Sequence, residues 1–300
     1  MAQAAHVAVL ALALATAGAA CSKKAAPPGP DAPVRHAAAA RVVAIGDLHG
    51  DLDVTRAALR LAGAIDDADH WTGGKLVVVQ TGDQLDRGDH EREILDLFDR
   101  LTVEAARAGG AFLPLNGNHE LMNAAGDFRY VTPGGFAQFG GPDGRRAAFA
   151  PGGPVARRLR ARPIYAIVGD TLFVHGGVLP AHVDQLERLD REARAWLAGE
   201  RPTADLPVAL SDPESPVWTR RYGTPDADQA AVCADADAVL SRLHLRRMVV
   251  AHTVRAGGVD SLCAGRVWRI DTGLAHFYGG PLEILELRGD AASVLRAKLK

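Results

Sequence analysis

The sequence predicts an α/β fold of two packed mixed β-sheets flanked by helices, and three observations carry that prediction. Residues 41–115 read as strand, helix, strand, helix, strand. From residue 164 onward the chain reads mostly as strands, two pairs of which are separated by Gly-Asp turns. Five of the expected strands run straight into polar clusters, each flanked by glycine or followed by threonine. Strands first interleaved with helices and later paired in hairpins pack best as two sheets with helices outside.

The elements follow in order. Arg41–Gly46 and Leu76–Gln80 are short apolar runs, as buried parallel strands are. Between them, Asp51–Leu61 places Leu52, Leu59 and several alanines at helical intervals. Asp89–Ala108 brings Ile94, Leu97, Phe98, Leu101 and Ala105 onto one helical face, with Glu91 and Glu93 in the first turn and Gly109-Gly110 as the stop. Ala111–Leu115 is a third strand, and right-handed crossovers bring the ends of all three strands to one sheet edge. Asn123–Arg162 reads as short helices and loops capping the fold. Ile164–Val168 and Thr171–His175 form a hairpin around Gly169-Asp170. Ala181–Leu197 and Ala230–Leu243 are helices. Met248–Ala251, Val267–Ile270, Leu282–Leu287 and Ser293–Leu299 are strands, the last two turned by Gly289-Asp290.

The chain has 300 residues, 48% hydrophobic and 23% charged, the composition of an ordinary globular protein. A formal charge of −2 argues against electrostatically driven nucleic-acid binding. No apolar stretch in the body reaches the roughly 18 residues of a membrane span. Three cysteines are too few for a disulfide scaffold or a thiolate metal cluster.

The first forty residues differ from the rest. Residues 1–20 contain the apolar run Val7–Ala20, which is the length of a secretory signal core. Cys21 follows small residues and resembles a bacterial lipoprotein processing site. Gly18 stands where that pattern usually has Leu, and no Lys or Arg precedes the run, so ordinary cleavage and an uncleaved helix are the alternatives. Residues 21–40, rich in Ala, Pro and Gly, read as a flexible tether. A single domain is expected over 41–300, in a chain that is exported and periplasmic, or membrane-anchored through lipid on Cys21.

The polar clusters are Gly46-Asp47-Leu48-His49-Gly50, Gly82-Asp83-Gln84-Leu85-Asp86-Arg87-Gly88, Asn116-Gly117-Asn118-His119-Glu120, His175-Gly176-Gly177 and His252-Thr253. Asp47, Asp83 and Asn118 are spaced by about one βαβ unit, roughly 30 residues or more, so they converge at one sheet edge. Asp47, His49, Asp83, Asn118, His175 and His252 offer oxygen and imidazole donors without a thiolate, which suits manganese, iron or zinc. Six such ligands around a central carboxylate fit two ions about 3.5–4 Å apart. Singly, each motif has a bland reading: Asp47 or Asp51 caps a helix, Asp86-Arg87-Gly88 is a charged turn, and each histidine is a packed one. Five in register are a site. His70, His90, His182 and His244 read as solvated, and Arg157-Arg158-Leu159-Arg160 as a charged helix face.

These motifs resemble the series found in calcineurin-like metallophosphoesterases, and Asp86-Arg87-Gly88 resembles the phosphoprotein phosphatase branch. Met122-Asn123, Gly126–Val131 and Gly279-Gly280 resemble the Shewanella-like protein phosphatases. The resemblance runs from about Arg41 to the C-terminus and implies the α-β-β-α sandwich of that family. It implies Asp47 and His49 on one metal, Asp83 bridging, and Asn118, His175 and His252 on the other. It further implies in-line attack by a metal-bridging hydroxide, His119 as general acid oriented by Asp86, and Arg87 and Arg220 as phosphate-binding residues. The expected partner is a phosphorylated protein or peptide, with no nucleic acid. A dinucleoside polyphosphate or other phosphodiester hydrolase is the alternative, and a non-catalytic metal-binding lipoprotein is the reading of another class. Asp271 sits after a strand where it can support the site. Cys233 and Cys263 are open between a disulfide and two free thiols.

Overall fold

The computed structural model describes residues 1, 33–224 and 228–298; the expected signal, Cys21 and most of the tether lie outside these. The chain opens with β1 (Arg35–His36), β2 (Val42–Ile45), α1 (Leu52–Leu61), β3 (Val77–Gln80), α2 (Glu91–Arg107) and β4 (Ala111–Pro114). A cap of four short helices follows: α3 (Asn118–Ala124), α4 (Pro133–Ala137), α5 (Gly141–Phe149) and α6 (Pro154–Arg160). The second half holds β5 (Tyr165–Val168), β6 (Thr171–Val174), α7 (Leu186–Leu197), α8 (Val208–Ser211), α9 (Gln229–Leu243), β7 (Arg247–Val250), β8 (Asp260–Leu262), β9 (Val267–Arg269), β10 (Leu282–Arg288) and β11 (Ala291–Ala297).

Two mixed sheets result, as expected. One runs β11-β10-β2-β3-β4, the other β1-β5-β6-β7-β9-β8. Side chains alternate across each strand, so Val42, Ala44, Val77 and Val79 face Ala166, Val168, Phe173 and Val249 between the sheets. Val43, Ile45 and Val78 face the other way, onto Leu59, Ile94 and Phe98 of α1 and α2. Helices α6, α7 and α9 cover the outer face of the second sheet through Leu159, Leu189, Trp196 and Val239. Parallel pairing of β2 with β3 and β3 with β4, register Val43↔Val78↔Phe112, brings the carboxyl ends of these strands together. Parallel β6 and β7 do the same in the second sheet.

Several expectations need correction. Arg35–His36, placed in the tether, pairs parallel with β5 and belongs to the fold. Helix α3 was not expected; it starts at Asn118, immediately after the third polar cluster, and is too short for a periodic signal. The helix expected from Ala181 opens with a 3₁₀ turn and becomes α-helical only at Leu186. His182 in that turn is buried, with Nε2 3.0 Å from Asp212, and is not solvated. The last hairpin, to which the sequence assigned no sheet, joins the first one, where β10 pairs antiparallel with β2. The charged-face reading of the arginine run holds: Arg158 bridges Asp96 and Asp99, and Arg160 meets Glu200.

Cys233 of α9 and Cys263 after β8 form a disulfide across a separation of 30 residues. Cross-linking a loop of this size restricts the unfolded chain by about 3–4 kcal/mol in the chain-entropy account. A Cys233→Ser/Cys263→Ser variant is therefore expected to melt several degrees below the oxidised protein. Equal urea midpoints with and without reductant would contradict this.

Candidate active site

Backbone bonds draw the polar loops into one cluster before any side chain acts. Leu48 N and His49 N both donate to Asp83 O, at 3.0 and 2.9 Å, and Gly50 N donates to Gln84 O at 2.8 Å. Ala251 N donates to His175 O at 2.7 Å, which sets His252 beside His175. Gly82, at φ +101°, lets β3 end within reach of the next loop; a Cβ there would lie 2.5 Å from Gly117 N. The buried Glu120 carboxylate accepts from Gly117 N (2.7 Å), Asp83 N (2.9 Å) and Gln84 N (2.8 Å), tying the second and third clusters together. His49, Asp83, Asp86, Arg87 and His252 all adopt positive φ, between 46° and 69°. Each costs about 1–3 kcal/mol of strain, held by this bonding.

The cluster is buried: Asp47, His49, Asp83, Asn118, His119, His175 and His252 are each exposed by 6% or less. Asp83 lies at its centre. Its Oδ2 is 3.9 Å from His49 Nε2, 3.7 Å from His119 Nε2 and 3.3 Å from His175 Nε2. Two donor groups share it, His49–Asp83–His119 and Asp83–His175–His252, each with ligand atoms within 4.8 Å of one another. Asn118 Oδ1 is 2.9 Å from His175 Nε2, and His252 Nδ1 is 3.1 Å from the same nitrogen. Asp47 closes the first side, 3.9 Å from His49.

Whether divalent cations fit these residues is decided by the donors themselves. His49 Nδ1 is 3.1 Å from Leu85 O, His175 Nδ1 is 2.9 Å from Thr81 O, and His252 Nε2 is 3.0 Å from Trp218 O. Each imidazole thus spends its N–H on a backbone carbonyl and turns the other nitrogen, as a lone pair, toward the cluster. Burial, with smaller contributions from His119 and Arg87, holds His49 neutral with its pKa lowered to about 3. Burial and His175 push His252 well below the usual imidazole range. Neutral imidazoles are what a cation requires. Burial raises the Asp47 carboxyl well above its ordinary range, and Asp271 and Asp83 add to it. Burial raises Glu120 and Asp271 as well. Asp47 Oδ1 is buried with no hydrogen-bond partner. Several buried carboxylates facing one another, one of them with an unpartnered oxygen, and pre-oriented neutral imidazoles fit bound cations.

His119 stands apart from His49, His175 and His252 because a carboxylate, not a carbonyl, holds it. Its Nδ1 is 2.5 Å from Asp86 Oδ2, leaving Nε2 toward Asp83. Burial alone would lower its pKa, but Asp83 and the Asp86 hydrogen bond outweigh burial and raise it. Arg87 Nη1 lies 2.8 Å from His49 Nε2 and 3.2 Å from His119 Nε2. Its guanidinium carbon sits over Tyr130, Tyr278 and Phe277, at 4.8, 5.3 and 5.7 Å from the ring centroids.

The structure brings together Asp47, His49, Asp83, Asp86, Arg87, Asn118, His119, His175 and His252. Arg220 takes a place on the rim: its Nη1 donates to His252 O (2.8 Å) and Thr253 Oγ1 (3.1 Å). Arg221 is turned away to Asp235. Asp271 is buried beside Asp47 and accepts from Gly273 N at 3.0 Å. Sequence reasoning left Glu120 without a role and missed the aromatic rim. The exposure of three aromatics near one arginine is the signal of the rim, and it exists only in the fold.

A two-sheet sandwich with a cluster of metal-type donors at its strand ends defines a class, and residues 40–256 match the calcineurin-like phosphoesterases. The chain belongs to that family, and it is a phosphatase-type hydrolase. It is 38% identical to Shewanella-like protein phosphatase 2 of Arabidopsis thaliana, over 84% of this chain and 76% of that protein. It is 28% identical to Shewanella-like protein phosphatase 1 of Plasmodium berghei, over 80% of this chain and 69% of that one. The cold-active protein-tyrosine phosphatase of a psychrophilic Shewanella superposes with a TM-score of 0.75 at 26% identity, covering 88% of this chain and 83% of that one.

Proposed function

We propose that this chain is a binuclear-metal-dependent phosphomonoesterase acting on phosphoproteins. The observation that carries the reading is the Asp86–His119 pair, set beside two donor groups that share Asp83. Asp47, His49 and Asp83 would hold one divalent ion, and Asp83, Asn118, His175 and His252 the other, manganese being the expected metal. When bound, such ions supply positive charge to phosphoryl oxygens and a water acidic enough to react near neutral pH. Arg87 presents a planar fork to the phosphoryl oxygens, and Arg220 adds a cation from the His252 side. His119, its Nδ1–H given to Asp86, delivers the Nε2 proton to the departing ester oxygen.

The rim bears on the alcohol. Tyr130, Phe277 and Tyr278 are exposed by 40%, 64% and 38% around Arg87, a surface suited to stacking a phenyl ring. Beside it opens a cleft of about 520 Å³ lined by His49, Asp51, Arg87, Asp89 and Phe277, with room for the chain flanking a phosphorylated residue. Together with the Shewanella relative described as a protein-tyrosine phosphatase, this favours phosphotyrosyl over phosphoseryl and phosphothreonyl peptides.

The test uses the full chain loaded with manganese on phosphotyrosyl, phosphoseryl and phosphothreonyl peptides, a dinucleoside polyphosphate and a simple phosphodiester. Phosphotyrosyl peptides are expected to be fastest, with a Tyr130→Ala variant raising their KM about fivefold or more, a loss of about 1 kcal/mol of ring contact. Faster cleavage of the nucleotide or diester would overturn the substrate class. Turnover of none would leave a metal-binding protein without catalysis.

We further propose that the chain is exported and tethered through lipidated Cys21. The Cys233–Cys263 disulfide supports an oxidising compartment. Absence of palmitate label on the mature protein, or a Cys21→Ser variant that stays with membranes, would count against the tether.

A further inference from the structure

Arg145 is fully buried in the cap, far in sequence from the catalytic loops it touches. Its guanidinium sits among Phe149, Phe139, Phe128 and Phe136, at 4.6, 5.2, 5.8 and 6.0 Å from the ring centroids. Every edge of the fork is used. Nε and Nη2 donate to Asn123 Oδ1 at 2.9 and 2.7 Å. Nη1 donates to Glu91 Oε2 and, at 3.1 Å, to Gly135 O. Nη2 also reaches Glu91 Oε1 at 3.0 Å and Asp86 Oδ1 at 3.5 Å.

The consequence lies two bonds away. An arginine has no acceptor, so Asn123 must turn its Oδ1 toward Arg145 and its amide nitrogen outward. That nitrogen donates to Asp86 Oδ1 at 3.0 Å and to His119 O at 3.0 Å. With Oδ1 occupied, Asp86 offers Oδ2 to His119 Nδ1. The other arm works on the backbone: Glu91, gripped by Arg145, accepts Asp86 N through Oε1 at 2.6 Å. Asp86 has φ +69° and Arg87 φ +64°, a pair of left-handed residues that need such holding. Arg87 N in turn donates to Tyr130 O of the cap at 2.9 Å.

We propose that Arg145 is a positioning residue for catalysis: through Asn123 and Glu91 it fixes the carboxylate of Asp86, and so aims His119 at the leaving oxygen. The inference rests on the phosphomonoesterase reading given above. A lysine would not replace it, because a point ammonium with three donors cannot match a planar fork with five.

A residue that acts through the acid has a signature that mere stability lacks. Protonation of the leaving oxygen matters little for p-nitrophenol and much for phenol, whose pKa is near the value of about 10 for tyrosine. The experiment measures kcat, KM and metal content for manganese-loaded full-length Arg145→Gln, Arg145→Lys and Glu91→Gln/Arg145→Gln on p-nitrophenyl phosphate and phenyl phosphate. In Arg145→Gln, kcat is expected to fall less than about threefold on the first ester and about 10- to 100-fold on the second, with KM and metal content within about twofold. Arg145→Lys falls in between, and Arg145→Gln/His119→Ala is no slower than His119→Ala alone. Equal losses on both esters, additive losses with His119→Ala, or loss of metal would overturn the assignment. The charge-neutral double variant is read beside the single one, and if neither folds, Arg145 is a folding element only and the assignment falls. A wild-type protein inactive on both esters would bring down the phosphatase reading itself.

Discussion

An Asp83→Asn variant is expected to lose bound metal and at least about a thousandfold in kcat/KM, the equivalent of roughly 4 kcal/mol of charge stabilisation. Asp83 is the one residue in both donor groups, so its charge serves both sides of the site. The substitution is mild for the fold. Asparagine accepts φ +56° about as well as aspartate, the bond from Asp83 N to Glu120 is untouched, and an amide oxygen can still accept His119 N. Circular dichroism and thermal melting should therefore stay near wild type while metal analysis falls. A variant that keeps its full metal content and more than about a tenth of its activity would show that Asp83 does not bridge.

The second large effect is expected at His119. His119→Ala should lower kcat by about 10²- to 10⁴-fold, the usual contribution of a positioned acid, while keeping its metal. Metal content is the decisive readout because His119 Nε2 also lies within ligand distance of His49 and Asp83. What distinguishes the two roles is the partner of the other nitrogen. The imidazoles of His49, His175 and His252 lean on carbonyls, whereas His119 leans on the Asp86 carboxylate, which stabilises an imidazolium. Asp86→Asn should reproduce most of the loss. If His119→Ala arrives stripped of metal, it is a ligand, and the acid must be sought elsewhere.

Much of this site was legible in the chain. Asp47, Asp83 and Asn118 could be placed at one edge because short apolar runs mark parallel strands and βαβ crossovers have a fixed hand. Glycines at 82 and 117 were read only as flanking the second and third clusters, and the fold brings Gly82 against Gly117. Arg220 was harder, since Arg221 is its neighbour and only the fold separates them, sending Arg220 to His252 O and Arg221 to Asp235. Arg145 was illegible. In sequence it is one of two adjacent arginines, Arg145-Arg146, among several in a glycine-rich cap, and its partners Glu91 and Asp86 lie 54 and 59 positions away.

The order of the longer strands and helices, the two-sheet class, the two Gly-Asp hairpins and the set of donor types were determined by the sequence alone, because periodicity, turn chemistry and ligand chemistry are local properties. Tertiary structure decided the rest. It paired β10 with β2 across most of the chain, added Arg35–His36 to the second sheet, and closed the Cys233–Cys263 bridge. It also decided which nitrogen of each histidine faces the centre, since that depends on which backbone carbonyl the fold delivers to the other one. A side chain announces what it can bond; only closure of the chain sets which partner it meets, and burial then makes that partner obligatory.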